Sequence, residues 1–251
     1  FFLSITSQSG LLYKTSPYPI QGYGTRSPFW DNILSTTLAG YKARLIDPFS
    51  TGLVHDPSIV HLATLNEAVS EGSGYALLMN VWGNTPSGFD ALWQAAQNRE
   101  QKANKLFAWV NDVSGSVVAT GSASDADEDI ALALIFADTL KKRGFTGWSS
   151  STQNYSSQAQ QILNAIYTLE ISSGNLRPDD AGSSDFNPSY FSPATYRIFA
   201  QFDNSSTHDW KAVVDNGYNV LSAQPGYSLG LAPDWCTTSG ATSNIATRTS
   251  G

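Results

Sequence analysis

The sequence predicts an all-α domain. Apolar residues recur at helical spacing over long runs, helix-ending residues punctuate those runs, and no stretch sustains the alternation of a strand. Residues 29–46 carry the first such pattern, with Pro48 just beyond it. The second runs from Ser70, a residue able to cap a helix, to Trp82. A third is expected from Pro86 to Val110, its apolar side formed by Phe89, Leu92, Trp93, Ala96, Leu106 and Trp109. The fourth is the clearest. It begins near Asp125, passes through the apolar segment Ile130 to Ala137 and ends at Lys141-Lys142-Arg143-Gly144. Acids at its start, bases at its end and a closing glycine all suit the helix dipole and its termini. Its apolar surface is nearly continuous, so other helices must enclose it. Further helices are expected over Tyr155–Ile171, Pro193–Phe202 and Ser206–Leu221. Long loops at 45–69, 110–124 and 174–192 connect them, and loops of that length often carry function. No linker or composition break divides the chain, so residues 1–235 read as one domain, and the Ser/Thr/Gly-rich residues 236–251 read as an exposed polar loop or tail.

Composition narrows the function. The 251 residues hold 14 Lys plus Arg against 21 Asp plus Glu, a formal net charge of -7. Such a chain has no broad footprint for a nucleic-acid backbone. A single Cys, Cys236, excludes an internal disulfide framework and a thiolate metal cluster. No run approaches the ~18 apolar residues of a membrane-spanning helix. The opening Phe1-Phe2-Leu3-Ser4-Ile5 lacks a basic region and is not read as an intact signal peptide. Low charge with many Ser, Thr, Asn and Gln is a pattern of exported proteins, so an extracellular location is expected. Aromatic residues make up 12% of the chain, and several lie beside Gly, Pro, Asn or Ser: Tyr23, Trp30, Trp82, Trp148, Tyr155, Tyr190 and Trp235. Flat rings with a polar handle suit the apolar faces of sugars, although most aromatic residues simply fill cores.

Familiar cofactor and nucleophile motifs are missing. There is no P-loop, no dinucleotide fingerprint and no G-x-S-x-G elbow, and His55, His61 and His208 form no zinc-helix motif. No cofactor or metal is therefore expected. Asp125-Ala126-Asp127-Glu128-Asp129 invites a calcium loop, but the positions that need Gly and Glu hold Ile130 and Phe136. Helix capping accounts for one or two of these acids. It accounts less well for four acids leading into a buried helix, where like charges repel unless solvated, paired or used. Glu71 lies among Ser70, Gly72, Ser73 and Gly74, so it is either a favourable first-turn acid or a carboxyl offered where small neighbours let a ligand approach. Glycoside hydrolysis needs an acid on the leaving oxygen and a second group to activate water or attack carbon. Glu71 and the Asp125 cluster, on adjacent helix starts, would supply part of such a site.

These segments also resemble a known family. Ser70-Glu71-Gly72-Ser73-Gly74-Tyr75 is similar to the Ser-Glu-Gly-x-x-Tyr motif of glycoside hydrolase family 8, and Ala123 to Ala131 is similar to its Ala-Ser/Thr-Asp-Ala/Gly-Asp-x-Asp-Ile-Ala signature. Tyr41-Lys42 through Asp56-Pro57, Asn187-Pro188-Ser189-Tyr190-Phe191 and Gly230-Leu231-Ala232-Pro233-Asp234-Trp235 resemble further landmarks, in order, from about residue 30 to 235. The resemblance implies an (α/α)₆ barrel with a groove across one end. It implies an inverting, endo-acting hydrolase of a β-1,4-linked polysaccharide such as cellulose. Glu71 would be the general acid and Asp125 the contact that helps distort the sugar at the cleavage point. Tyr190 and Tyr75 lie in the matching motifs and would bind substrate, with Trp82, Trp109 and Trp235 as candidate sugar platforms. Alternatives are chitosan or xylan as substrate, or a non-catalytic glycan-binding remnant. One departure stands out: the family's Tyr-Asp-Ala-x-Arg segment, whose Asp is the base in a large subgroup, does not occur in residues 1–251. The expectation is therefore a partial barrel, completed by a second polypeptide piece or a further C-terminal part. That part would cover the apolar side of inner helices, including Ile130–Ala137.

Overall fold

The computed structural model describes residues 36–37, 39–40, 50–56, 62–224 and 230–237. Among them are six named helices: α1 (Ser70–Trp82), α2 (Pro86–Arg99), α3 (Ser124–Lys142), α4 (Tyr155–Ala165), α5 (Pro193–Phe202) and α6 (Trp210–Ser222). Of the helix expected at 29–46, only Thr36, Thr37, Ala39 and Gly40 are described, and all four are helical. Tyr23, Trp30 and His61 lie outside the described residues, as does most of the segment from Tyr41 to Pro57.

Short strands, which the sequence did not announce, align the helix starts. β1 (Ala68–Val69), β2 (Val110–Asn111) and β3 (Val117–Ala119) form an antiparallel sheet in that order. Val69 pairs with Val110, and Val110 in turn with Ala119. β1 runs directly into α1, and β3 lies just ahead of α3. One small sheet therefore holds both helix N-termini at the same end of the fold. A second hairpin, β4 (Ile171–Ser172) with β5 (Asn175–Leu176), turns through Ser173 and Gly174, both at positive φ. Such a turn favours glycine. Strands of two or three residues are too short to show alternation in a sequence.

Several boundaries moved for tertiary reasons. The helix expected to reach Val110 ends at Arg99. No breaker stops it. Instead the chain turns through Lys105 at φ 80, pairs Gln101 with Phe107, and buries Leu106 and Phe107. Trp109 therefore sits in a loop rather than on the face of α2. Ser70 does not cap α1: Val69 holds the cap position, and the Ser70 N–H donates to the Trp109 carbonyl at 3.1 Å. Docking beside β2 satisfies one of the four amides that a helix start leaves without an intrahelical partner. α4 passes into a π-helical turn, Ile166–Glu170. α6 starts at Trp210, capped by Asp209, because residues 203–208 are held in a turn around Asp203.

One apolar cluster extends from Val54 to Val214. Trp148 and Tyr155, nominated above for a sugar cleft, are buried in it against Phe89, with ring centroids 5.3 and 5.5 Å away. Ile130, Ala131, Ala133, Leu134, Ile135 and Ala137 are also buried. Leu132 and Phe136, four residues apart on one face, are only partly buried, so the described chain covers most of this segment and leaves that stripe half-open. Cys236, expected to begin an exposed tail, is buried and bonded through both backbone groups to Phe186. Residues 238–251 lie outside the described residues.

Candidate active site

α1 and α3 form the most extensive helix contact of the fold. Gly74 makes that possible: a Cβ there would lie 2.9 Å from Cβ of Asp129 and 3.4 Å from the Ala126 carbonyl. On a helix, residues four apart share a face. α1 thus presents Glu71 and Tyr75 together, and α3 presents Asp125 and Asp129. Packed through Gly74, the two pairs form one patch at the N-terminal end of both helices.

Electrostatics show how close these groups are. Asp125 is raised to about 7, first by burial and then by the Glu71 charge, against the lowering effect of helix-start amides at Ala126 and Asp125 itself. Its Oδ1 is buried and has no hydrogen-bond partner among the described residues. Burial lifts Asp129 to about 6. The half-exposed Tyr75 phenol is pushed up by burial and by Asp125, Asp129 and Glu71. The ion pairs of the described residues use Asp180, Asp138, Asp203 and Asp215, and none uses Asp125 or Asp129. A carboxyl near pH 7 without a cation is suited to hydrogen-bonding a neutral polar ligand and to exchanging a proton.

A second layer of buried acids backs this patch. Glu100 accepts from the Ser73 hydroxyl at 3.0 Å and is raised to about 8 by burial, despite that bond, with Glu71 adding to the effect. Asp127 points away from Asp125 and accepts the Phe107 N–H at 2.9 Å. Glu128 is buried, is pushed well above its ordinary range by that burial, and faces the Tyr196 phenol of α5, which holds it down in part. The Tyr196 hydroxyl also lies 3.5 Å from the Tyr190 carbonyl. No motif signals Glu100 or Tyr196, because each acts through the fold.

The aromatic candidates divide. Trp109 is half-buried beside the site, its carbonyl bonded to the amide that precedes Glu71. Tyr190 ends the 3₁₀ turn Pro188–Tyr190, which the Asn187 side chain caps, and meets Trp235 edge-on at 6.3 Å. Trp82 is not brought to this patch: it ends α1, ~16 Å along the axis from Glu71 at 1.5 Å per residue. His55 is a buried structural residue held by Thr51 and the Asn66 carbonyl. Among the described residues no group of three or more His, Cys, Asp or Glu side chains is placed to hold a metal, and no helix is long and apolar enough to cross a membrane.

The model of the family described as glycosyl hydrolases family 8 matches residues 38–249. Endoglucanase A of Acetivibrio thermocellus is 40% identical over 189 residues, covering 71% of this chain and 38% of that protein. Endoglucanase C of Ruminiclostridium cellulolyticum is 38% identical over 185 residues, with the same coverage of 71% and 38%. The chain thus spans well under half the length of these curated relatives. Among solved structures, a β-1,3-1,4-glucanase from Paenibacillus sp. X4 superposes with a TM-score of 0.71 at 25% identity, covering 94% of this chain and 61% of that one. A family 8 endoglucanase from Klebsiella pneumoniae gives 0.66 at 26% identity, covering 82% and 65%.

Proposed function

This chain belongs to family 8 of the glycosyl hydrolases, with part of the family's (α/α)₆ barrel, and we propose that it serves an endo-acting, inverting hydrolase of internal β-1,4 linkages in cellulose or a related β-glucan. Glu71 is the proton donor to the departing glycosidic oxygen. Asp125 binds the sugar ring at the cleavage point and favours its distortion toward the transition state. Tyr75 and Trp109 border that position, and Tyr190 with Trp235 forms a further wall of the groove. A polymer of this size cannot enter a cell, so the reaction belongs outside it.

The observation that supports this reading best is the Glu71–Asp125 arrangement. A general acid must hold its proton near working pH, whereas a helix N-terminus favours the ionised form. Close acids oppose a second negative charge in the patch: Asp125 rises first by burial and then by the charge on Glu71. A neutral chain of hydroxyls can enter such a patch without an opposing cation and bond to the unpartnered Asp125 oxygen.

The stereochemical outcome tests the reading directly. Proton NMR of the first product from a β-linked cello-oligosaccharide is expected to show the α anomer. Initial β product would remove the inverting mechanism. A comparison of carboxymethyl cellulose, xylan and chitosan is expected to rank cellulose first. No hydrolysis of any of the three would leave a glycan-binding role.

A further inference from the structure

A second carboxyl pair lies behind the site. Asp127 of α3 and Glu170, the last residue of the π-helical turn, are both fully buried, and their carboxyls lie close enough to perturb each other. Each has one oxygen committed elsewhere. Asp127 Oδ1 accepts the Phe107 N–H at 2.9 Å, and Glu170 Oε1 accepts the Ser122 hydroxyl at 2.6 Å. The oxygens left over, Asp127 Oδ2 and Glu170 Oε2, are buried with no N–H or O–H donor in reach. Two carboxylates have no proton to bond with, so contact between them requires one proton held in common.

The surroundings lock this pair to the site. Asp127 is two residues from Asp125. Its other bond holds Phe107, in the loop that continues to Trp109 and the amide preceding Glu71. The Ser122 hydroxyl that serves Glu170 also accepts the Asp180 N–H at 3.0 Å, and the Ser122 N–H returns to Asp180 Oδ1 at 3.1 Å. The Arg177 N–H bonds the Glu170 carbonyl at 2.7 Å. The π-helical turn matters here, because one extra residue rotates all later side chains by about 100°. We propose that Asp127 and Glu170 share one proton and act as a positioning pair, holding the first turn of α3, with Asp125, in register with the Trp109 loop. The catalytic part of this proposal rests on the roles given above to Glu71 and Asp125; the pair itself does not.

The charged and titratable groups facing the pair are Lys102 and Asp180 from the loops, Glu128 on α3 and Tyr196 on α5. Lys102, paired with Asp180 and donating to the Thr120 carbonyl at 2.9 Å, draws both acids down. Burial outweighs it: Asp127 is raised well above its ordinary range and Glu170 to about 7. Folded values above unfolded ones mean that the pair's stabilisation is complete at acidic pH and is lost as pH rises through about 7.

Glu170→Gln in the full-length protein separates a shared proton from ordinary packing. The amide carbonyl can still accept from Ser122, and the amide NH₂ can donate to Asp127 Oδ2, so the contact no longer needs the proton. The thermal midpoint of this variant is expected to fall less steeply between about pH 5 and 8, by about one proton's worth of slope. Asp125 should keep its raised titration when followed by carboxyl carbon-13 NMR, and hydrolysis should stay within about threefold of the parent. Glu170→Ala should lower the Asp125 titration toward that of an ordinary aspartate and slow kcat by about tenfold or more. An unchanged slope in Glu170→Gln would sink the shared proton, even if the Ala variant fails to fold. A folded Glu170→Ala with normal Asp125 titration would sink the positioning role. Stability and titration need no substrate, so a parent protein that cleaves no β-glucan would overturn the functional reading while these measurements still decide the pair.

Discussion

Asp125 and Asp203 are both largely buried aspartates, and the fold treats them in opposite ways. Asp203 accepts from Gln160 Nε2 at 2.8 Å, the Ser205 N–H at 2.9 Å, His208 Nδ1 at 2.7 Å and Trp210 Nε1 at 2.7 Å. Burial pushes its carboxyl up, yet these donors more than offset that and hold it below the ordinary range. Asp125 has an oxygen without a partner, a carboxylate neighbour instead of a cation, and a value near 7. One carboxylate is saturated by the chain and joins α4 to the turn that leads into α6. The other keeps a buried oxygen without a hydrogen-bond partner among the described residues. Two buried acids of the same type thus titrate in opposite directions, and the difference lies in the donors around them.

The largest effect that would sharpen this contrast belongs to Glu71. Glu71→Gln is expected to reduce polymer hydrolysis by about a thousandfold, the scale of a lost general acid. Hydrolysis of a dinitrophenyl glycoside should suffer far less, because that leaving group departs without a proton. Steady-state rates on both substrates check it, and equal losses would mean that Glu71 does something other than protonate.

Next comes the same substitution at both aspartates. Asp125→Asn should cost about a hundredfold in kcat, as for one transition-state contact, with no loss of thermal stability at pH 8 because a strained buried charge is removed. Asp203→Asn places an amide NH₂ against donors and should cost about 2–3 kcal/mol of stability while leaving kcat of the folded protein unchanged. Denaturation and kinetics of the two variants side by side would break the comparison if Asp203→Asn proved the less stable by nothing, or Asp125→Asn by much.

Gly74→Ala tests how the patch is assembled. The added methyl meets Asp129 Cβ, which is not the free end of a side chain, so α1 and α3 must separate. A loss of about 1–3 kcal/mol is expected, measurable by urea unfolding, together with a drop in activity as Glu71 leaves Asp125.

The last contrast is a pH slope. Asp125 and Glu170 are raised to about 7, and Glu100 to about 8, so the folded chain holds protons that the unfolded chain has released. Their contribution is complete below the ordinary carboxyl range and is lost as pH climbs through 7 to 8. Asp203, held low, works in the other sense: its contribution is present above the ordinary range and fades as pH falls through its folded value. Each proton changes stability by about 1.4 kcal/mol per pH unit while it titrates. Calorimetry is therefore expected to place the highest thermal midpoint at mildly acidic pH, and a midpoint that rises steadily to pH 8 would contradict the raised values.

Helical period, the acid-rich start and basic end of α3, and the small residues around Glu71 are local properties, and the sequence alone determined them. A pattern that repeats every turn, or a motif of adjacent residues, survives in a linear chain. The end of α2 at Arg99 did not. Gln101, Lys102 and Ala103 are ordinary helix residues, and only the burial of Leu106 and Phe107 makes the turn worthwhile. The burial of Trp148 and Tyr155 and the separation of Trp82 from Glu71 were likewise decided in three dimensions. So was the meeting of Asp127 with Glu170, 43 residues apart and joined through a π-helical turn that no periodicity signals. Composition can say that an acid is present. Whether it ends with four donors, like Asp203, or with an empty oxygen, like Asp125, depends on which distant amides and hydroxyls the packing of helices brings to it.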